Sequence, residues 1–155
     1  MNKAFSIILL YTLFSSCIKE ESTNHEYIME NKTGVKIDII SYTGSTVIKE
    51  TSINPNSSIV YAGDSFRGKH GKANLFFPGY GGDSILIIFE DKYEVLHVPN
   101  KSIYSGIRKT IDTNSNRIIV QEKGYEISIK KETRKSITFE AVYTFTEADY
   151  EFAKQ

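Results

Sequence analysis

From about residue 27 onward, hydrophobic and polar positions alternate with a period of two, and β-branched and aromatic residues carry the alternation. Val35, Ile37 and Ile39 alternate with Lys36 and Asp38. Tyr125, Ile127 and Ile129 alternate with Glu126, Ser128 and Lys130. Ile137, Phe139, Ala141, Tyr143 and Phe145 stand against Ser136, Thr138, Glu140 and Thr144, with Val142 the exception. Between these last two runs, the polar break Lys131-Glu132-Thr133-Arg134-Lys135 predicts a hairpin. Ile85 to Phe89 is continuously apolar and bounded by Asp83 and by Glu90-Asp91, which predicts a central strand buried on both faces. Turn signals at Lys32-Thr33-Gly34, Thr43-Gly44, Asn54-Pro55-Asn56, Pro78 to Gly82 and Pro99-Asn100 divide the remainder. The pattern predicts eight or nine short strands, near 27–31, 35–42, 46–53, 57–62, 84–90, 93–98, 117–122, 124–131 and 136–145. Thr146-Glu147-Ala148-Asp149 resembles a capping box with Asp in place of Glu, opening a short helix to about Ala153. The expected fold is all-β, a two-sheet antiparallel β-sandwich with a short C-terminal helix; a small β-barrel is the alternative.

The beginning of the chain follows different rules. Lys3 precedes an apolar run from Ala4 to Phe14, and Ser15-Ser16 close it. That order is the plan of a secretory signal peptide, too short for a membrane span of roughly 20 apolar residues. Cys17 follows directly. Phe14-Ser15-Ser16-Cys17 resembles a bacterial lipobox, with Phe14 where Leu is usual. The resemblance implies cleavage before Cys17 and acylation of its sulfur, often of its new amino group too. Several acyl chains anchor durably where one short chain does not. Ile18 to Glu26 is polar and without apolar periodicity, so it reads as a tether. Its Lys19-Glu20-Glu21 cluster resembles the acidic signal of surface-displayed lipoproteins of the Bacteroidota. The expected organisation is a removed signal peptide at 1–16, a lipidated cysteine with tether at 17–26, and a folded domain at 27–155.

Composition narrows the function classes. The chain has 155 residues, 19 basic and 19 acidic, with 40% apolar and 25% charged residues. That balance suits one folded domain with an appendage and argues against disorder. Zero formal charge removes the bulk electrostatic footprint of a nucleic-acid binder. A lone cysteine excludes an intramolecular disulfide and a Cys-rich zinc site.

Gly63-Asp64-Ser65-Phe66-Arg67-Gly68-Lys69-His70 has the spacing of a phosphate-binding loop, and Ile85 to Asp91 imitates its second motif. His70, however, stands where a magnesium-binding Ser or Thr is needed. Gly71 and Pro78 also flank a stretch with no helix to aim amides at phosphate. The segment has a second reading: Arg67, Lys69, His70 and Lys72 gather cations between glycines 63, 68 and 71. Such a loop suits an anion, a sulfated glycan or a lipid phosphate, against the plainer reading of a solvated hairpin loop. Tyr80, between Gly79 and Gly81-Gly82, is the loop aromatic expected to be exposed, whereas Phe76-Phe77 reads as a core plug. The absence of tryptophan weighs against carbohydrate binding.

His25, His70 and His97 fall on the tether, a loop and a strand, without metal-ligand spacing, so neither a metal nor a cofactor is expected. Glu90, Asp91 and Glu94 would serve an envelope-polymer hydrolase if the fold paired them, against their reading as solvated turn acids. Asp83-Ser84-Ile85 resembles the short O-glycosylation acceptor of the Bacteroidota; the plainer reading is that Ser84 opens a buried strand.

The loop Ile53 to Ser58, the segment Asp83 to Asp91 and the ending Tyr143 to Tyr150 join the lipobox in resembling small β-rich lipoproteins of the Bacteroidota. The resemblance implies an envelope location, but it brings no agreed activity and no site residue except Cys17. The expected function is therefore a lipid-anchored, non-catalytic binding module of the outer membrane. Its unidentified protein or glycan partner would meet loops at the end facing away from Cys17. The alternatives are the hydrolase and an inhibitor or immunity lipoprotein.

Overall fold

Among the described residues, nine strands and one α-helix build the fold: β1 (Ser22–Asn31), β2 (Ile37–Thr43), β3 (Thr46–Ile53), β4 (Ser57–Arg67), β5 (Ser84–Phe89), β6 (Tyr93–His97), β7 (Lys109–Ile111), β8 (Glu126–Glu132), β9 (Ser136–Phe145) and α1 (Glu147–Lys154). The computed structural model describes residues 21–68, 83–99, 109–112 and 114–155. The leader, Cys17, Lys69, His70, Lys72, Phe76, Phe77 and Tyr80 lie outside the described residues.

The strands form a β-sandwich of two sheets, ordered β4-β1-β9-β8 and β3-β2-β5-β6-β7. Both sheets are mixed, which corrects the antiparallel expectation. β1 runs parallel to β9, and β6 runs parallel to β7. Chain direction is free in the first pair because no hairpin joins strands so distant in sequence. In the second, the segment 98–108 has about the length that a parallel crossover needs. The expected hairpin between β8 and β9 is present, as are those joining β2 to β3 and β5 to β6.

Alternation is the reason these strands sit where they do. β9 buries Ile137, Phe139, Ala141, Tyr143 and Phe145 while its intervening residues stay half-exposed. β5 lies at the centre of the five-stranded sheet and is buried along almost its whole length, as its unbroken apolar run predicts. Ile85, Ile87 and Phe89 join the inter-sheet core with Met29, Ile37, Ile39, Tyr61, Tyr143 and Phe145. Leu86 turns to the other face, where it meets a second cluster with Leu96 and Val98. This is the two-faced burial of a central strand.

Three expectations change. β1 begins at Ser22, so residues 22–26 are strand and not tether. Thr23 and His25 occupy its inward positions, 0% and 2% exposed, continuing the alternation with polar side chains. Residues 117–122 form turns, not a strand, although Ile118, Ile119 and Val120 are all buried in the core. Three consecutive apolar residues cannot all face inward from one pleated strand, so the backbone coils there instead. Finally, β4 extends through Arg67, which makes Gly63 to Arg67 an extended strand rather than part of a loop.

Candidate functional site

The sequence places its candidate ligand site around Arg67, and the register shows where that is. β4 lies antiparallel to β1 with Arg67 opposite Ser22, and β9 lies parallel on the other side with Ser136 opposite Ser22. The end of the sandwich holding Arg67 is therefore the end at which the chain enters the fold from Cys17. The ligand loop expected at the end facing away from Cys17 lies mostly outside the described residues; Arg67, its described member, sits at the end where β1 begins.

Beneath this end lies a feature the sequence did not advertise. His25 is buried with Nδ1 2.6 Å from Asp64 Oδ1 across the β1–β4 ladder. Phe66 and Phe139 stand on the imidazole with ring centroids 5.6 Å away in both cases. Nε2 is buried and has no hydrogen-bond partner among the described residues. A carboxylate on one ring nitrogen is the orientation used for general bases, but a base must reach the proton it takes. Here aromatic rings wall the other nitrogen, and the pair fixes the strand end. The available signal was the period: Thr23, His25, Tyr27 and Met29 share one face of β1.

The second buried histidine, His97, ends β6 in the core. Its Nδ1 accepts from the Ile119 N–H at 3.3 Å, and the Tyr143 ring stands edge-on at 6.2 Å. Burial pushes its pKa down to about 3; Asp149 draws it upward and Arg117 opposes that. It is a neutral structural histidine. A void of about 10 Å³ beside His97, Tyr143 and Asp149 holds at most about one water.

Near β8, Gln121, Lys123, Tyr125 and Ile127 line an open depression of about 550 Å³. The Tyr125 hydroxyl gives it no polar anchor. That oxygen is buried without a hydrogen-bond partner among the described residues, its ring packed on Tyr27 and Tyr143 at 6.2 and 5.7 Å. Burial raises its pKa well above the ordinary phenol value.

The acids considered for hydrolysis have other tasks. Glu90 accepts the Tyr150 hydroxyl at 2.5 Å, and Asp91 lies 3.6 Å from Lys36. Both occupy the β5–β6 turn with φ of 55°, and neither they nor Glu94 line the two spaces above. Ser84 opens β5 at 2% exposure with its hydroxyl 3.2 Å from the Asp83 carboxylate, which matches its plainer reading as a buried strand residue. Among the described residues, no three His, Cys, Asp or Glu side chains gather as a metal site. Comparison with family models, curated proteins and solved structures returns no match.

Proposed function

We infer that this chain is a lipid-anchored lipoprotein of a bacterial cell envelope, an outer-membrane protein whose β-sandwich is a non-catalytic binding module. One observation carries the reading: the only cysteine, Cys17, directly follows Ser15-Ser16 at the end of a short apolar run. Strand β1 beginning at Ser22 agrees with it, since a folded domain starts just beyond that cysteine. The module's ligand is a protein or glycan of the envelope or its surroundings.

Metabolic labelling with alkyne-palmitate, in intact source cells carrying the native or the Cys17→Ala chain, tests this. Native protein takes the label and the variant does not. Removal of the labelled protein by external protease assigns it to the surface. A well-expressed native chain that stays unlabelled overturns the proposal.

A further inference from the structure

Among the described residues, four exposed cations surround the point where β1 begins. The Ser22 N–H donates to the Lys135 carbonyl at 2.9 Å, and the Gly68 N–H donates to the Glu21 carbonyl at 2.7 Å. The Thr23 hydroxyl adds a bond to the Gly68 carbonyl at 2.8 Å. β1 thus emerges clamped between the end of β4 and the β8–β9 turn. Arg67 stands on one side of it, and Lys131, Arg134 and Lys135 stand on the other, all exposed.

The turn presenting these cations is fixed. The Thr133 N–H donates to the Ser136 carbonyl at 2.8 Å, and the Thr133 hydroxyl accepts from the Ser136 N–H at 2.9 Å. Among the described residues, Glu21 and Glu132 are the exposed carboxylates beside them. Asp64 is engaged by His25, and Lys130 is held by Glu26 and Glu140 at 2.6 and 3.3 Å. Among the described residues, no ion pair joins Lys131, Arg134 or Lys135 to a carboxylate. The opposite end is matched instead: Lys36 lies 2.9 Å from Asp38, and Lys32 lies 3.1 Å from Glu30.

The leash sets the geometry. Cys17 precedes Ser22 by five residues, which span at most about 18 Å when extended. The field of an anionic surface decays over about 8–10 Å at ordinary ionic strength. An anchor on Cys17 therefore lets the cationic end, and not the matched end, come within reach of that field. We propose that Arg67, Lys131, Arg134 and Lys135 dock on the phosphates of an anionic bilayer and stand the sandwich upright, with the Glu90-Asp91 turn outward. This rests on the reading of Cys17 as lipidated.

The chain has no tryptophan, so Phe66→Trp, at the docking end, is a unique reporter. The processed lipidated protein is reconstituted in phosphatidylcholine vesicles with or without phosphatidylglycerol, and brominated lipids report Trp proximity. Quenching is strong in the anionic vesicles only, and high salt removes it. Each cation near such a surface changes the docked-to-undocked ratio about five-fold, so losing three lowers it at least about a hundred-fold. Lys131→Glu/Arg134→Glu/Lys135→Glu therefore abolishes quenching while keeping the native circular dichroism, because all three positions are exposed. Lys32→Glu/Lys92→Glu, at the opposite end, leaves quenching intact. A lipidated protein quenched equally in both vesicle types, or unaffected by the triple reversal, overturns the docking. Mass spectrometry showing Cys17 without acyl chains overturns the proposed function itself.

Discussion

At the scale of single residues, two buried histidines are held in different ways. His25 hydrogen-bonds the Asp64 carboxylate, and His97 meets one backbone N–H in the core. Its pKa of about 3 makes stability pH-dependent with a definite sign. Above pH ~6.5 the unfolded histidine is also neutral, and the contribution is fully present. Between that pH and about 3 the unfolded chain binds a proton that the native chain refuses. Stability then falls by about 1.4 kcal/mol per pH unit. His97→Gln keeps an acceptor for the Ile119 N–H but removes the titration. Urea unfolding at pH 7.5 and 4 should show the native protein losing about 3 kcal/mol more than the variant. Equal losses would remove His97 from the acid response. The sequence reads His97 as a satisfied strand histidine, as it is, but places His25 on a tether, because burial of a polar residue depends on neighbours that the chain supplies from far away.

At the scale of elements, one carboxylate joins three segments. Asp149 accepts from the Thr146 N–H at 2.7 Å and the Thr146 hydroxyl at 2.9 Å, which caps α1 as the Thr146-x-x-Asp149 spacing predicts. The same side chain receives Arg117 Nε at 3.0 Å and a second guanidinium nitrogen. Arg117 also donates to the Thr144 carbonyl at 2.8 Å, and its own carbonyl accepts the Tyr143 hydroxyl at 2.8 Å. Residues 115–121 thereby deliver Ile118, Ile119 and Val120 to the core without strand pairing. Asp149→Ala should cost roughly 2 kcal/mol, about half from the cap and half from the partly exposed ion pair. Hydrogen exchange at the Ile118–Val120 amides should accelerate with it. Asp149→Asn, which retains an acceptor, should cost less, and an alanine variant with unchanged exchange would refute the pin. The helix was legible because its signal is local. The coil at 117–122 was mistaken for a strand because an apolar run records burial and not backbone shape.

At the scale of the whole molecule, period-two alternation revealed the two-sheet architecture, but not which strands pair where no hairpin joins them. β1 and β9 are separated by more than a hundred residues and joined by no hairpin, so nothing local specified their parallel pairing. That pairing places β1 inside its sheet, hydrogen-bonded on both sides, and makes its first five residues structural. Removing 22–26 would strip β4 from Gly63 to Arg67 and β9 from Ser136 to Glu140 of their common partner. It would also leave the Asp64 carboxylate without His25 and expose Ile137 and Phe139, which are 6% and 4% exposed in the intact fold. Unpaired central ladders cost several backbone hydrogen bonds, each worth about 1 kcal/mol, against a total stability of only about 5–15 kcal/mol. A chain beginning at Glu21 should therefore melt cooperatively, whereas one beginning at Tyr27, the boundary expected from hydrophobic pattern alone, should not. Circular dichroism melts of the two truncations decide the matter. Matching cooperative transitions would return 22–26 to the status of a tether and lengthen the leash on which the docking geometry depends.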